Sequence, residues 1–288
     1  MATKKAATTT KKAPAKKTTT SAAAAKTTKT TVTTAPVAAT TPTFSEHVSS
    51  SFRSTALWRA LGAELVGTFL FAGVVIAGQG QPIFVLFGLV GIVLTLGAIS
   101  GAHVNPAVTI GALVTRRIGW LRAVGYIIAQ LLGAALAYIV LNAFIGGAAP
   151  VSAEAQAYGQ TAATLFTAAD ISKIDNKNWY IFFAELTGAA ILALGYAYAT
   201  RQAIRDRLAG AFGIGLAAFG AYMIAVSAAS YVGATAVLNP AVAIALHAYS
   251  WETIWPFAIY AIAPAIGGVI GFVVYDLLRG NTVDEIAE

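Results

Sequence analysis

The chain of 288 residues is 57% hydrophobic and 11% charged, with a mean hydropathy of +0.71. Soluble domains are about 45–50% apolar and roughly a quarter charged, so this composition excludes an ordinary water-soluble fold and points to a membrane protein. Cysteine is absent, which removes disulfides, thiolate metal sites and cysteine nucleophiles, and the net charge of +7 arises in residues 1–50, where eight lysines face one acid, Glu46.

Residues 1–50 read as a Lys/Thr/Ala-rich cytoplasmic tail. The first 45, typified by KKAPAKKTTT, carry too little large apolar surface to offset the entropy of ordering, so disorder is expected. No continuous apolar run marks a secretory signal peptide. The tail is open to three readings: a solvated segment, a contact with anionic lipid, or a contact with nucleic acid. Clustered lysines beside a span are each worth ~1 kcal/mol against an acidic leaflet. No aromatic residues are interleaved to stack on bases. Acid-poor and hydroxyl-rich, the segment also suits an organelle transit peptide, although its cations are Lys rather than Arg.

From residue 56 the apolar runs lengthen. A helix needs about 20 apolar residues to cross a ~30 Å hydrocarbon core. Six segments qualify, at roughly 57–78, 82–100, 119–142, 179–199, 208–229 and 254–278. Two shorter apolar pieces, near 105–114 and 239–248, follow the second and fifth spans. At ~1.5 Å per residue each is about 15 Å long, half a membrane. Strands are excluded, because the runs lack period-two alternation and are rich in Ala, Leu and Gly.

The cations orient this array. With the tail inside, an even number of spans returns the C-terminal segment 281–288 to the same side. Seventeen of the nineteen Lys/Arg then fall inside and only Lys173 and Lys177 outside, as positive-inside topology requires. An integral multi-pass protein of the cell membrane, with both termini cytoplasmic, is expected.

The chain is also internally duplicated. RALGAELVGTFLFAG (59–73) returns as IFFAELTGAAILALG (181–195), aligning Glu64 with Glu185. HVNPAVTIGAL (103–113) returns as VLNPAVAIALH (237–247), aligning Asn105 with Asn239. The repeats, about 57–142 and 179–278, each hold three spans, so the second enters the membrane inverted. Inverted repeats place a shared site near the midplane, at interrupted helices. The fold class is therefore all-α: six transmembrane helices plus two re-entrant half-helices that meet end to end. An Asn-Pro pair is a good helix start in itself, with Asn as N-cap and Pro in the first turn. Helix capping alone does not account for Asn-Pro-Ala-Val at equivalent places in two inverted halves.

Twin Asn-Pro-Ala motifs, each preceded by an Ala-Glu-Leu span, resemble the aquaporin, or major intrinsic protein, family. SGAHVNPAVT (100–109) is similar to the family's first re-entrant loop, and Gln130 in YIIAQLLGA and Pro264 in YAIAPAIGG are further matches. The resemblance covers about residues 57–280 and implies a channel domain over 51–280, a right-handed bundle assembled as a homotetramer with one pore per subunit. It implies a passive pore for water or small neutral solutes. Its motif residues would be Asn105, Pro106, Ala107, Asn239, Pro240 and Ala241. Glu64 and Glu185 would accept hydrogen bonds from re-entrant backbone, with His103 packing in the first loop.

One departure stands out. The family's second motif usually continues with Arg, which narrows the outer constriction and repels cations; here Val242 follows Ala241, and Ala243 stands where glycerol-conducting members carry Asp. Counting back from Asn239 puts Ala236 and Ser227 at the constriction as well. Its fourth member is Val85 by ungapped counting, or Phe87 if FGL (87–89) is matched to the family's tripeptide. The expected constriction is small, apolar and uncharged. Other readings are a glycerol-type facilitator, a poorly conducting membrane scaffold and an ion-leaking channel. Enzymatic chemistry is not expected: no nucleophile–base pair or phosphate loop is legible, the three histidines (His47, His103, His247) form no local metal motif, and no cofactor is implied.

Overall fold

The computed structural model describes residues 44–174, 176–203, 205–250 and 252–280. The first 43 residues of the expected tail and the segment 281–288 lie outside them. In chain order the α-helices are α1 (Phe44–Phe52), α2 (Thr55–Ala77), α3 (Pro82–Ser100), α4 (Pro106–Val114), α5 (Trp120–Gly146), α6 (Ala153–Ala157), α7 (Asn178–Gln202), α8 (Arg207–Ser230), α9 (Pro240–Ala245), α10 (Trp255–Phe257) and α11 (Ala263–Arg279). A π-helical turn, Ala258–Ile262, joins α10 to α11 into one span. Six helices are long and apolar enough to cross a bilayer, and no strand occurs among the described residues.

Local chemistry sets the boundaries. Ser54 caps α2 by accepting from Leu57 N, and Asp206 caps α8 by accepting from Leu208 N (2.9 Å) and Ala209 N (3.0 Å). Proline opens α3, α4 and α9, where its missing N–H and fixed φ cost nothing. Residues 44–50 correct the expected tail: they are helical, as part of α1. Phe44, Val48 and Phe52 recur at a spacing of four, a helical period hidden within the Lys/Thr-rich composition. The Trp58 indole donates to Phe52 O at 2.8 Å and fixes the corner between α1 and α2.

The two halves interlock. Span α2 packs on α5 and α3, span α7 on α11 and α8, and α3 meets α8 across the halves. Each short helix crosses over as well: α4 seats on α11, and α9 on α5. Glycine permits the α4–α11 approach, since a Cβ at Gly111 would lie 2.6 Å from Gly268 O, and one at Gly268 would collide with Ala107 O. Large apolar side chains such as Phe87, Leu132 and Ile139 cover the outer faces, the arrangement that a lipid solvent requires. Alternating crossings gather Arg53, Arg59, Arg116, Arg117, Arg122, Arg201, Arg205, Arg207 and Arg279 at one end of the bundle, called here the arginine-rich face.

Pro264 shapes the sixth span. It has no N–H for the carbonyl of Tyr260, four residues back, and the Tyr249 hydroxyl donates to that carbonyl instead, at 3.0 Å. The π turn occupies the same stretch, as expected where the helical ladder is interrupted.

Candidate functional site

The tips of α4 and α9 meet inside the bundle. Asn105 caps α4, its Oδ1 accepting from Ala107 N at 2.8 Å; Asn239 caps α9, its Oδ1 accepting from Ala241 N at 3.0 Å and Val242 N at 3.4 Å. Their amide nitrogens then cross. Asn105 Nδ2 donates to Leu238 O and Asn239 Nδ2 donates to Val104 O, each at 2.8 Å. Each tip is thus fastened to the residue that precedes the other's cap. A side-chain amide has two N–H groups, so each asparagine keeps one with no protein acceptor among the described residues. Both sit where the positive ends of the half-helix dipoles converge.

The non-helical segments that approach the two tips, 101–104 and 233–238, are held by a device used twice. Glu64 accepts from His103 N (2.9 Å) and Val104 N (2.8 Å); Glu185 accepts from Val237 N (2.6 Å) and Leu238 N (2.8 Å). Both carboxylates are fully buried and each oxygen has an N–H partner. Three residues after each Glu stands a glycine. A Cβ on Gly67 would lie 2.8 Å from Val104 Cγ1, and one on Gly188 would lie 2.5 Å from Leu238 Cδ2. Val104 and Leu238 have φ of 44° and 56°, a left-handed conformation that costs about 1–3 kcal/mol for a non-glycine residue unless its surroundings impose it. The paired N–H clamps and the glycine recesses impose it.

The first half carries extra polar support. Gln130 Nε2 donates to Glu64 Oε2 (2.8 Å) and Thr109 Oγ1 (2.9 Å), Thr109 Oγ1 donates to Asn105 O (3.1 Å), and His103 Nδ1 lies 3.2 Å from Thr109 Oγ1. The His103 ring stands edge-on to Tyr126 and Tyr196.

Tyrosines brace the same backbone, a role absent from the sequence-based list. Tyr126 OH donates to Ser100 O (2.6 Å), Tyr196 OH to Ala102 O (2.8 Å), and Tyr222 OH to Val237 O (2.8 Å). A buried tyrosine hydroxyl seeks a partner, and a tyrosine inside an apolar span is the signal that marks these residues. Each carbonyl keeps a second lone pair.

The expected constriction residues divide. Val85, Ala236 and Val242 share one buried apolar cluster, with exposures of 0%, 1% and 0%, so a water-sized sphere scarcely reaches them in this conformation. Phe87 does not join them: it lies on the outer face of α3, 62% exposed. Two residues on a helix lie 200° apart, so Val85 and Phe87 face different ways, and of the two it is Val85 that turns inward. Ser227 also lies outside the cluster. It shares an exposed face of α8 with Leu216 and Met223, while Ala225 and Ala229, two residues to either side, point inward.

A pocket opens at each end of the bundle. One of about 230 Å³, lined by Gly97, Gly101, Thr200 and Arg207, lies on the arginine-rich face at the head of the first approach segment. Another, of about 500 Å³, lined by Asp170, Lys173, Lys177, Val232 and Gly233, lies on the opposite face at the head of the second. Asp170 and Lys173 pair there at 3.0 Å. No cluster of His, Asp and Glu able to hold a metal occurs among the described residues.

The family model described as Major intrinsic protein matches residues 51–275. The chain is 32% identical to aquaporin TIP1-1 of Arabidopsis thaliana over 203 residues, covering 69% of this chain and 71% of that protein. It is 32% identical to the lens fiber major intrinsic protein of Mus musculus over 253 residues, covering 82% and 87%. Among solved structures, the aquaglyceroporin from Plasmodium falciparum superposes with a TM-score of 0.51 and 21% identity over 80% of this chain and 98% of that one, a likeness of fold.

Proposed function

This chain belongs to the major intrinsic protein family, a family of membrane channels, and on that premise we propose that it conducts water and small neutral solutes passively, without strict selectivity for water. The reciprocal bonds between the Asn105 and Asn239 tips carry the reading. They put two electropositive helix ends, each with a spare amide N–H, beside backbone carbonyls that have lone pairs to spare. A neutral molecule that both donates and accepts exchanges its bulk partners for these in single file. A cation meets two positive ends and, since Glu64 and Glu185 are consumed by backbone N–H groups, no carboxylate to replace its water.

The proposed path runs from the Gly101 pocket past His103 and the two asparagines to the Val232–Gly233 pocket. Val85, Ala236 and Val242 form its neck. An uncharged neck offers no donor that favours one permeant, and each hydrogen bond to a charged group lost there is worth about 1.5–3 kcal/mol to a matched solute. Both termini are placed in the cytoplasm of a cell-membrane protein, supported by the arginine-rich face, and the subunit is placed in a homotetramer. The tight packing of the neck favours one second reading, a poorly conducting scaffold.

The test is Val242→Arg in proteoliposomes, measuring glycerol and water flux on the same vesicles. The substitution should narrow the neck and lower the glycerol-to-water ratio. An unchanged ratio would mean that residue 242 does not line the path.

A further inference from the structure

Two cavities on the outer surface of α2 and α5 adjoin one another. At the membrane edge of the arginine-rich face, Ser51, Ser54, Arg117, Gly119 and Arg122 enclose a polar pocket of about 340 Å³. Below it a nearly apolar groove of about 460 Å³ descends between Leu57, Leu61 and Leu65 on α2 and Val124, Ile128 and Leu132 on α5. Leu57 and Leu121 line both, so the two spaces adjoin. From Leu121 to Leu132 the groove follows eleven residues of helix, about 16 Å at 1.5 Å each, close to half of a ~30 Å hydrocarbon core. It therefore has the length of one leaflet and a polar head at its aqueous end.

Charge identifies the head's ligand. Arg117 is held by Asp276 at 2.7 Å and by stacking 4.9 Å over the Phe272 ring, yet its buried Nε has no hydrogen-bond partner. Arg122 is exposed and makes no ion pair among the described residues. Asp276 pairs with Arg117 alone, and α5 begins at the pocket with no side-chain cap on Gly119. Two cations against one acid, above a dry one-leaflet groove, suit an anion that carries a hydrocarbon chain.

We propose that this site binds one anionic phospholipid from the leaflet at the arginine-rich face, its phosphate at Arg117 and Arg122 and an acyl chain along the α2–α5 groove. None of the residues lining the two cavities is among those of the proposed permeation path, and occupancy is read as bound lipid rather than as flux. Gly62 lines the groove, and a Cβ there meets nothing within 4 Å, so the side chain of Gly62→Phe starts in open space and is placed to occupy the groove.

The full-length protein in detergent is titrated with phosphatidylglycerol or phosphatidylcholine of identical chains, and bound lipid is counted by native mass spectrometry. Arg122→Gln should weaken phosphatidylglycerol about five-fold, the effect of one cation beside an anionic headgroup, and leave phosphatidylcholine unchanged. Gly62→Phe should remove one tightly held lipid, with the circular dichroism of the wild type. The basic N-terminal segment is identical in all three proteins and cancels from the comparison. If neither variant changes the phosphatidylglycerol count, the site is refuted. A change of oligomer size in Gly62→Phe with no change in bound lipid also refutes it, because a second copy would then be the occupant. Should Gly62→Phe fail to fold, the Arg122→Gln comparison of the two lipids decides alone.

Discussion

Replacing Glu185 by Gln keeps the side chain's shape but leaves one acceptor oxygen where two backbone N–H groups now bond, Val237 N at 2.6 Å and Leu238 N at 2.8 Å. One N–H then faces an NH2 group in a fully buried site. An unsatisfied buried donor costs about 1–3 kcal/mol, and the surviving bond falls from charge-assisted to neutral strength, about 1 kcal/mol more. The loss should therefore be about 2–4 kcal/mol, roughly 30- to 700-fold in the folding equilibrium. Glu64→Gln should cost a similar amount, because His103 N and Val104 N likewise lose one of two acceptor oxygens. Refolding titrations in mixed detergent micelles measure both variants against the wild type. A loss below about 0.5 kcal/mol for Glu185→Gln, near the scatter of ordinary surface changes, would refute the clamp as the element that holds the second approach segment.

Three further outcomes are expected. Asn239→Asp sets an acidic oxygen against Val104 O in place of a donor 2.8 Å away; it should either prevent folding or admit cations, and planar-bilayer recordings that show a silent, stable channel would contradict the site. Gly188→Val would drive Leu238 from its recess, so water flux per folded protein should fall; unchanged flux would show that Leu238 does not set the tip's position. Tyr249→Phe leaves the Tyr260 carbonyl with no donor from residue 264 and should lower stability by about 1 kcal/mol in the same titrations, while an unaffected protein would mean that the π turn already satisfies that carbonyl.

Much of this architecture was legible because membrane spans obey length. The second span was expected over 82–100 and is Pro82–Ser100, since Pro82 and the αL glycine Gly101 punctuate it. The half-helices were legible from Asn-Pro, a cap and a first turn written side by side. The duplicated Ala-Glu-Leu signalled that two buried carboxylates share one task, and each clamps the pair of N–H groups that leads to its asparagine.

Facing was harder to read. A helix that is apolar all round has no polar stripe to orient it, so Phe87 and Val85 both stood as members of the neck, and Ser227, reached by counting back from Asn239, lies on an exposed face of its helix. The tyrosine–carbonyl bonds were invisible for another reason. They join residues far apart in the chain, 94 positions for Tyr196 and Ala102, and no local pattern encodes such a pairing. Helix α1 escaped notice because one apolar residue in four is easily lost beside a lysine-rich segment.

The most direct test is osmotic. Vesicles reconstituted with the wild-type chain and mixed rapidly with impermeant sucrose should shrink several-fold faster than empty ones, with no gain in proton or potassium conductance. Shrinkage at the rate of empty vesicles, from correctly inserted protein, would contradict the claim that paired asparagine tips open a path for water.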